Sequence, residues 1–136
     1  MLVNNAGIAI RYDLPPSQQN IADVQATYDV NVFGPIRVTQ GFAPLLLVAP
    51  APRIVMVSSY SGSLGRALDR TSQSYLINML DYGSSKTTLN AITVAFAKEF
   101  APRGVKVKAA APTLRLVSTD IGVAVRYSRR LRSSCA

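Results

Sequence analysis

The 136 residues contain no histidine and no tryptophan, and the single cysteine, Cys135, is next to last. Without histidine, Ser-His and Cys-His nucleophile schemes are excluded, together with most zinc sites. One cysteine cannot build a disulfide framework or a cysteine-based metal cluster, so no metal site is expected. No apolar run approaches the ~20 residues of a membrane span. The longest, Leu45-Leu46-Leu47-Val48-Ala49, lies between Pro44 and Pro50. The chain opens on Met1-Leu2-Val3, so the expectation is a cytoplasmic protein with no signal peptide and no membrane partner.

Acidic residues are also scarce, seven against fifteen lysines and arginines. The imbalance sits at one end. From Arg103 onward there are eight basic residues and only Asp120 is acidic, whereas residues 1–102 carry seven basic and six acidic. Arg126, Arg129, Arg130 and Arg132 close this segment. Such a tail can meet nucleic acid or an acidic surface. It lacks interleaved aromatics beyond Tyr127 and fits no nucleic-acid motif. The expectation is a solvated, disordered tail over residues 121–136 with no nucleic-acid partner, following one domain over residues 1–120.

What is present is patterned. Hydrophobic content of 49% with 16% charge describes one globular domain of this length. Leu89, Ile92, Phe96 and Phe100 recur at helical spacing and predict an amphipathic helix from about 83 to 100. Tyr82 and Lys86, four residues apart at its start, fall on one face. A phenol, with a reference pKa of about 10, is a poor acid or base at neutral pH. A fixed cation beside it favours the phenolate. The pair is therefore a candidate proton-transfer device, or else a packed tyrosine and a solvated lysine that share a face by accident.

Elsewhere, Leu2-Val3 reads as the end of a strand that turns at Asn4-Asn5-Ala6-Gly7. So short a strand suggests that a longer fold begins upstream. Ser17 is the expected N-cap of a helix carrying Ile21, Val24, Tyr28 and Val32. The helix resumes after Gly34-Pro35 with Ile36, Val38, Phe42, Leu45 and Leu46, bent by Pro35. Arg53-Ile54-Val55-Met56-Val57 reads as a buried parallel strand closed by Ser58-Ser59. Residues 60–81 form a long, irregular stretch, and long loops are often functional. Pro102-Arg103-Gly104 ends the central helix, and Val105 to Ala111 forms a third strand stopped at Pro112. No element is read after Asp120. The order strand, helix, strand, helix, strand predicts an α/β fold with a parallel sheet. The functional crevice of such a sheet lies at the carboxyl ends of its strands, where Asn4–Gly7, Ser58-Ser59 and Pro112-Thr113 converge beside Tyr82.

With these pieces in order, the chain resembles the short-chain dehydrogenase/reductase family over roughly residues 1–120. The resemblance rests on Asn4-Asn5-Ala6-Gly7, Asn31-Val32-Phe33-Gly34 with Pro44 downstream, Arg53 to Ser59, and Tyr82-x-x-x-Lys86. Ser84-Ser85-Lys86 followed by Leu89-Asn90-Ala91, and Gly104 to Pro112, belong to the same set. It implies a partial Rossmann-like sheet of about three parallel strands and two long helices, with the N-terminal βαβ half missing. It implies an oxidoreductase that uses NAD or NADP to interconvert a small-molecule carbonyl and an alcohol by hydride transfer. Tyr82 is then the general acid or base. Lys86 favours the Tyr82 phenolate and holds the nicotinamide ribose. Ser59 donates to the substrate oxygen, and Asn31 holds a water that links Lys86 to solvent. Asn4, Ala6, Gly7, Tyr82, Lys86, Pro112 and Thr113 line the cofactor. The two helices are those that pair subunits in this family, so a homo-oligomer of the parent protein is implied.

The chain also departs from that pattern. Its eight glycines stand at 7, 34, 41, 62, 65, 83, 104 and 122. None forms the family's Thr-Gly-x-x-x-Gly-x-Gly loop, which holds the pyrophosphate at a helix N-terminus. Thr113 stands where the family has the glycine of a Pro-Gly pair, and the assignment of Thr119 to the carboxamide is open. Two other readings stay beside the reductase: a catalytically inactive fragment acting through subunit pairing, and a basic-tailed binding protein.

Overall fold

The computed structural model describes residues 1–11, 14–71, 75, 78–112, 116–117 and 124–125. Strand β1 is Leu2–Asn4, β2 is Arg53–Val57 and β3 is Lys106–Ala110. They form one parallel sheet in the order β1-β2-β3, with Leu2 opposite Ile54 and Ile54 opposite Val107. Helices α1 (Ile21–Tyr28) and α2 (Gly34–Val48) make the first crossover. The second runs through a short α3 (Leu64–Ala67) and a 21-residue α4 (Leu80–Phe100). The expected α/β sheet with two long helical units is the observed one.

Local chemistry sets the boundaries. Ser17 does not cap the first helix; it lies inside a 3-10 turn, Pro16–Gln18. Asn20 is the cap, its side chain accepting from the Ala22 N–H at 2.9 Å. Between α1 and α2 the backbone widens into a π turn, Asp29–Phe33, closed by a bond from the Gly34 N–H to the Asp29 carbonyl. Pro35 stands just beyond. It lacks the N–H that an α-helix would aim at the Asn31 carbonyl, so the ladder is broken there. The bend expected at Pro35 is thus placed one turn earlier. Helix α4 carries Asp81 in its first turn and Lys98 in its last, matching the helix dipole.

The core lies between the sheet and the helices. Leu46, Ile54, Met56, Leu89, Phe100 and Val105 form its buried cluster. Phe96 stacks on Phe100 with centroids 5.7 Å apart. Strand β2 is buried on one face only, through Ile54 and Met56, while Val55 and Val57 are half-buried. The same outer face carries Val3 in register with Val55, and Val55 with Lys108. Among the described residues no helix covers that face, which is why a run that reads as doubly buried is not. Residues 60–81 are less irregular than expected, holding a 3-10 turn (Tyr60–Gly62) as well as α3. A two-residue strand β4 (Leu116–Val117) pairs antiparallel with β5 (Ala124–Val125). That places paired backbone inside the segment expected to carry no element; the rest of 121–136 lies outside the described residues.

Gly104 has φ 73°, the left-handed conformation that ends the chain's turn after α4. Nothing lies within 4 Å of where a Cβ would stand. Gly104→Ala should therefore lose about 1–2 kcal/mol from backbone strain alone. Urea denaturation measures this, and Gly104→Asn should recover part of the loss because asparagine tolerates this region.

Candidate active site

Three segments meet at the carboxyl end of the sheet and are joined by the first turns of α4. From β1 comes the loop Asn5–Ile8, from the π turn Asn31, and from β2 the pair Ser58-Ser59. Asn31 is fully buried. Its Oδ1 accepts from the Ile8 N–H at 2.8 Å, and its Nδ2 donates to the Ile8 carbonyl at 2.8 Å and to Ser85 Oγ at 3.0 Å. Ser85 Oγ in turn donates to the Tyr82 carbonyl at 2.7 Å. One amide thus ties the loop after β1 to the first turns of α4.

Lys86 is 3% exposed and crosses from α4 to β2, where Nζ donates to the Val57 carbonyl at 2.8 Å. Its partner is a neutral carbonyl, and burial pushes its pKa below the ordinary lysine value. Nζ stands 5.5 Å from the centroid of the Tyr82 ring. A Cβ on Gly7 would lie 3.2 Å from Nζ and 3.4 Å from Asn31 Oδ1. The space beside Gly7 is therefore narrow and faces two polar atoms. Ser59 is buried, has extended backbone and caps the 3-10 turn, its Oγ accepting from the Ser61 N–H at 3.2 Å.

Asn31, Ser59, Tyr82 and Lys86 are thus brought to one end of the sheet. Ala6 and Gly7 are exposed beside them, and Pro112 is half-buried beyond the end of β3. Asn4 is placed differently from the expectation. It shares the inward face of Leu2, is 8% exposed, and donates through Nδ2 to Thr39 Oγ1 and Met56 Sδ, each at 3.1 Å. Its side chain faces the core. Thr113 and Thr119 lie outside the described residues.

Asp81 escaped the sequence reading. It is fully buried beside Tyr82, and its carboxylate accepts from Thr27 Oγ1 at 3.1 Å, Gln19 Nε2 at 3.2 Å and the Ile10 N–H at 3.4 Å. Burial raises its pKa, but the backbone N–H of Tyr82, the Gln19 amide, the Thr27 hydroxyl and the backbone N–H of Ile10 together outweigh that and hold it below the usual carboxylate value. The one available signal was an acidic residue in the first turn of a helix. A cleft of about 280 Å³ opens between the 3-10 turn, α3 and the start of α4, lined by Ser61, Leu64, Ala67, Met79, Leu80 and Ser84 among others. Its α4 residues, Leu80, Gly83, Ser84 and Thr87, form a different helical stripe from Tyr82 and Lys86. The cleft flanks the catalytic candidates without containing them. Tyr60 and Tyr75 do not line it; each ring carries an arginine, Arg66 at 4.9 Å and Arg70 at 6.0 Å.

A family model described as "short chain dehydrogenase" matches residues 1–129. The chain belongs to the short-chain dehydrogenase family. It is 31% identical over 121 residues to a 3-oxoacyl-[acyl-carrier-protein] reductase of Synechocystis, covering 89% of this chain and 43% of that protein. It is 36% identical over 106 residues to an L-xylo-3-hexulose reductase of Hypocrea jecorina, covering 76% of this chain and 32% of that protein. NADPH-bound carbonyl reductase from chicken fatty liver superposes with a TM-score of 0.71 at 27% identity, over 82% of this chain and 44% of that one. A Brucella ovis oxidoreductase of the same family, with partially ordered NAD, gives 0.66 at 30% identity, over 82% and 47%. The chain thus spans less than half the length of these relatives. Among the described residues no helix is long and apolar enough to cross a membrane.

The lowered pKa of Asp81 fixes a sign. A carboxyl held below its unfolded value stabilises the fold above that value, about 3.9, and the contribution is lost as pH falls through the folded value. The wild type should lose stability below about pH 4 more steeply than Asp81→Asn. Urea denaturation of both proteins between neutral and acid pH checks this; parallel curves would remove Asp81 from the account.

Proposed function

We propose that this chain carries the catalytic part of an NAD(P)-dependent oxidoreductase that interconverts a small-molecule carbonyl and its alcohol. The observation that carries the reading is the meeting of Tyr82, Lys86, Ser59 and Asn31 at one sheet end, with Lys86 and Asn31 bordering the narrow space at Gly7. Each has an atom suited to a role. The Tyr82 phenol gives a proton to the substrate oxygen in reduction and takes it in oxidation. The Lys86 ammonium, 5.5 Å from that ring, favours negative charge on the phenolic oxygen as the proton leaves. Ser59 Oγ accepts from Ser61, which leaves its O–H to donate to the substrate oxygen where charge develops. Asn31 has spent both amide hydrogens on Ile8 and Ser85, so the water role rests on its oxygens, the second lone pair of Oδ1 or the main-chain carbonyl to which Pro35 offers no N–H.

The fit of a dinucleotide is partial. Ala6, Gly7 and Lys86 would hold its nicotinamide end, and Pro112 would border it; the glycine-rich pyrophosphate loop is not among the 136 residues. When bound, the nicotinamide supplies or accepts the hydride. The named relatives support this reading: two reductases, a carbonyl reductase with NADPH and an oxidoreductase with NAD. A single cysteine agrees with the reducing, cytoplasmic setting that belongs to the same proposal.

The test is reduction of a panel of ketones and aldehydes by NADH and NADPH, followed by loss of cofactor absorbance. Tyr82→Phe should lower kcat by about 10²–10⁴-fold with the fold intact by circular dichroism. Turnover that survives Tyr82→Phe, or none in the wild type with either dinucleotide, overturns the reading.

Subunit pairing through α2 belongs to the same proposal. Val38, Phe42 and Leu45 share one helical stripe and are 40%, 49% and 65% exposed, which is costly to leave in water. Phe42→Lys with Leu45→Lys should shift sedimentation from dimer to monomer; a wild type that sediments as a monomer would sink the pairing.

A further inference from the structure

One serine of the Ser58-Ser59 pair is spoken for. Ser58 Oγ donates to Asn90 Oδ1 at 2.6 Å, and the Ser58 N–H donates to the Ala110 carbonyl at 2.8 Å. The other half of the Asn90 amide reaches past Ser59. Asn90 Nδ2 donates to the Gly62 carbonyl at 3.3 Å. The Gly62 N–H returns to the Ser59 carbonyl at 3.1 Å, closing the turn that Ser59 caps. Asn90 therefore grips the residue before Ser59 and the end of the turn after it. Only one orientation of the amide permits this. The Gly62 carbonyl needs the NH₂ side, which directs Oδ1 to the Ser58 hydroxyl.

Asn90 lies one helical turn beyond Lys86 and two beyond Tyr82, on the same stripe of α4. Thr87 helps on one side only, through its Oγ1 to the Gly62 carbonyl at 3.1 Å. The contact is close enough that a Cβ on Gly62 would fall 2.8 Å from the Lys86 carbonyl carbon. The turn bearing Ser59 thus sits directly on the helix bearing Lys86, and Asn90 is the side chain that holds both its ends.

We propose that Asn90 is a positioning residue that sets the Ser59 hydroxyl relative to Tyr82 and Lys86. The inference rests on the oxidoreductase reading, since only there does the spacing between donor and acid act on one substrate oxygen. A misplacement of about 1 Å can cost about 10²-fold in rate, so a rigid link between the two segments has a catalytic effect without touching substrate.

Two measurements on the full chain test this. In hydrogen exchange, Asn90→Ala should speed the Ser61 and Gly62 amides by about tenfold or more, with the Leu89–Phe100 half of α4 unchanged. Ser58→Ala, which removes only the bond to Oδ1, should give a smaller change at the same amides. Unchanged exchange at both amides in both variants overturns the proposal. In kinetics, Asn90→Ala should lower kcat by about ten- to a hundredfold with KM within about twofold. In a Ser59→Ala background the same change should lower kcat no further, because its effect passes through Ser59. Full additivity would assign Asn90 a general structural role and overturn the proposal. Should Asn90→Ala fail to fold, Ser58→Ala in the same two backgrounds decides. A wild type without turnover would remove the oxidoreductase reading, and the exchange result would still decide whether Asn90 holds the turn.

Discussion

The fully buried amide of Asn31 is the constraint on which the site depends. A buried polar group left unpaired costs about 1–3 kcal/mol, so Asn31 demands partners. It takes them from the Ile8 backbone, 23 residues earlier, and from Ser85, 54 residues later. Burying this one side chain therefore requires the loop after β1 and the first turns of α4 to be in place together. The π turn makes the demand possible. Its wider backbone sits where Pro35 withholds an N–H, and it carries Asn31 out of the regular α register toward the sheet. A proline and an amide thus turn a helix bend into a junction of three chain segments.

Lys86 meets a related constraint with the opposite sign. Its ammonium is buried against a neutral carbonyl, an arrangement that lowers its pKa and offers little compensation. Two glycines make it possible. Gly62 lets a backbone turn rest on the Lys86 backbone, and Gly7 leaves room at Nζ; a Cβ at either position would meet Lys86 at 2.8 Å or 3.2 Å. Held from both sides, the lysine stem has little rotamer freedom left to lose when a ligand arrives. That is the physical content of preorganisation at this site.

The sequence exposed more of the frame than of its wiring. Three parallel strands and two long helical units followed from apolar periodicity and from proline and glycine punctuation. The same pattern located Ser59, Tyr82 and Lys86 at one end of the sheet, whereas Asn31 entered only through the resemblance to the family. Asn4 shows where that reading stopped. Strand parity puts Asn4 on the face of Leu2 and hence toward Met56, yet its motif drew attention to the loop instead. Asp81 was invisible for another reason. Its partner Thr27 lies 54 residues away, and nothing local distinguishes a solvated aspartate from a buried one with donors arriving from another helix. The cap at Asn20 was missed because Pro15-Pro16 first imposes a 3-10 turn, which delays the helix past the serine that had the right chemistry.

Helix α4 resolves the tension between a polar site and a stable fold by separating them along its length. Its first half buries Asp81, Ser85 and Lys86, whose hydrogen bonds each contribute about 0.5–1.5 kcal/mol net, and about 1.5–3 where a charge takes part. From Leu89 onward it buries Leu89 and Phe100, each about 1.5–3 kcal/mol when fully removed from water, and Thr93, whose hydroxyl donates to the Leu89 carbonyl of the same helix. Leu89 lies seven residues from Tyr82, about 10 Å along a helix that rises 1.5 Å per residue. A helix is stiff over that distance, so packing at one end places the other. Hydrophobic burial thus sets where Tyr82 and Lys86 stand, and the bond to the Val57 carbonyl sets which way the lysine points. The division also explains why the buried face of α4 reads as polar in its first half. Apolar side chains there would leave the amide of Asn31, the hydroxyl of Thr27 and the Ile10 N–H without their partners.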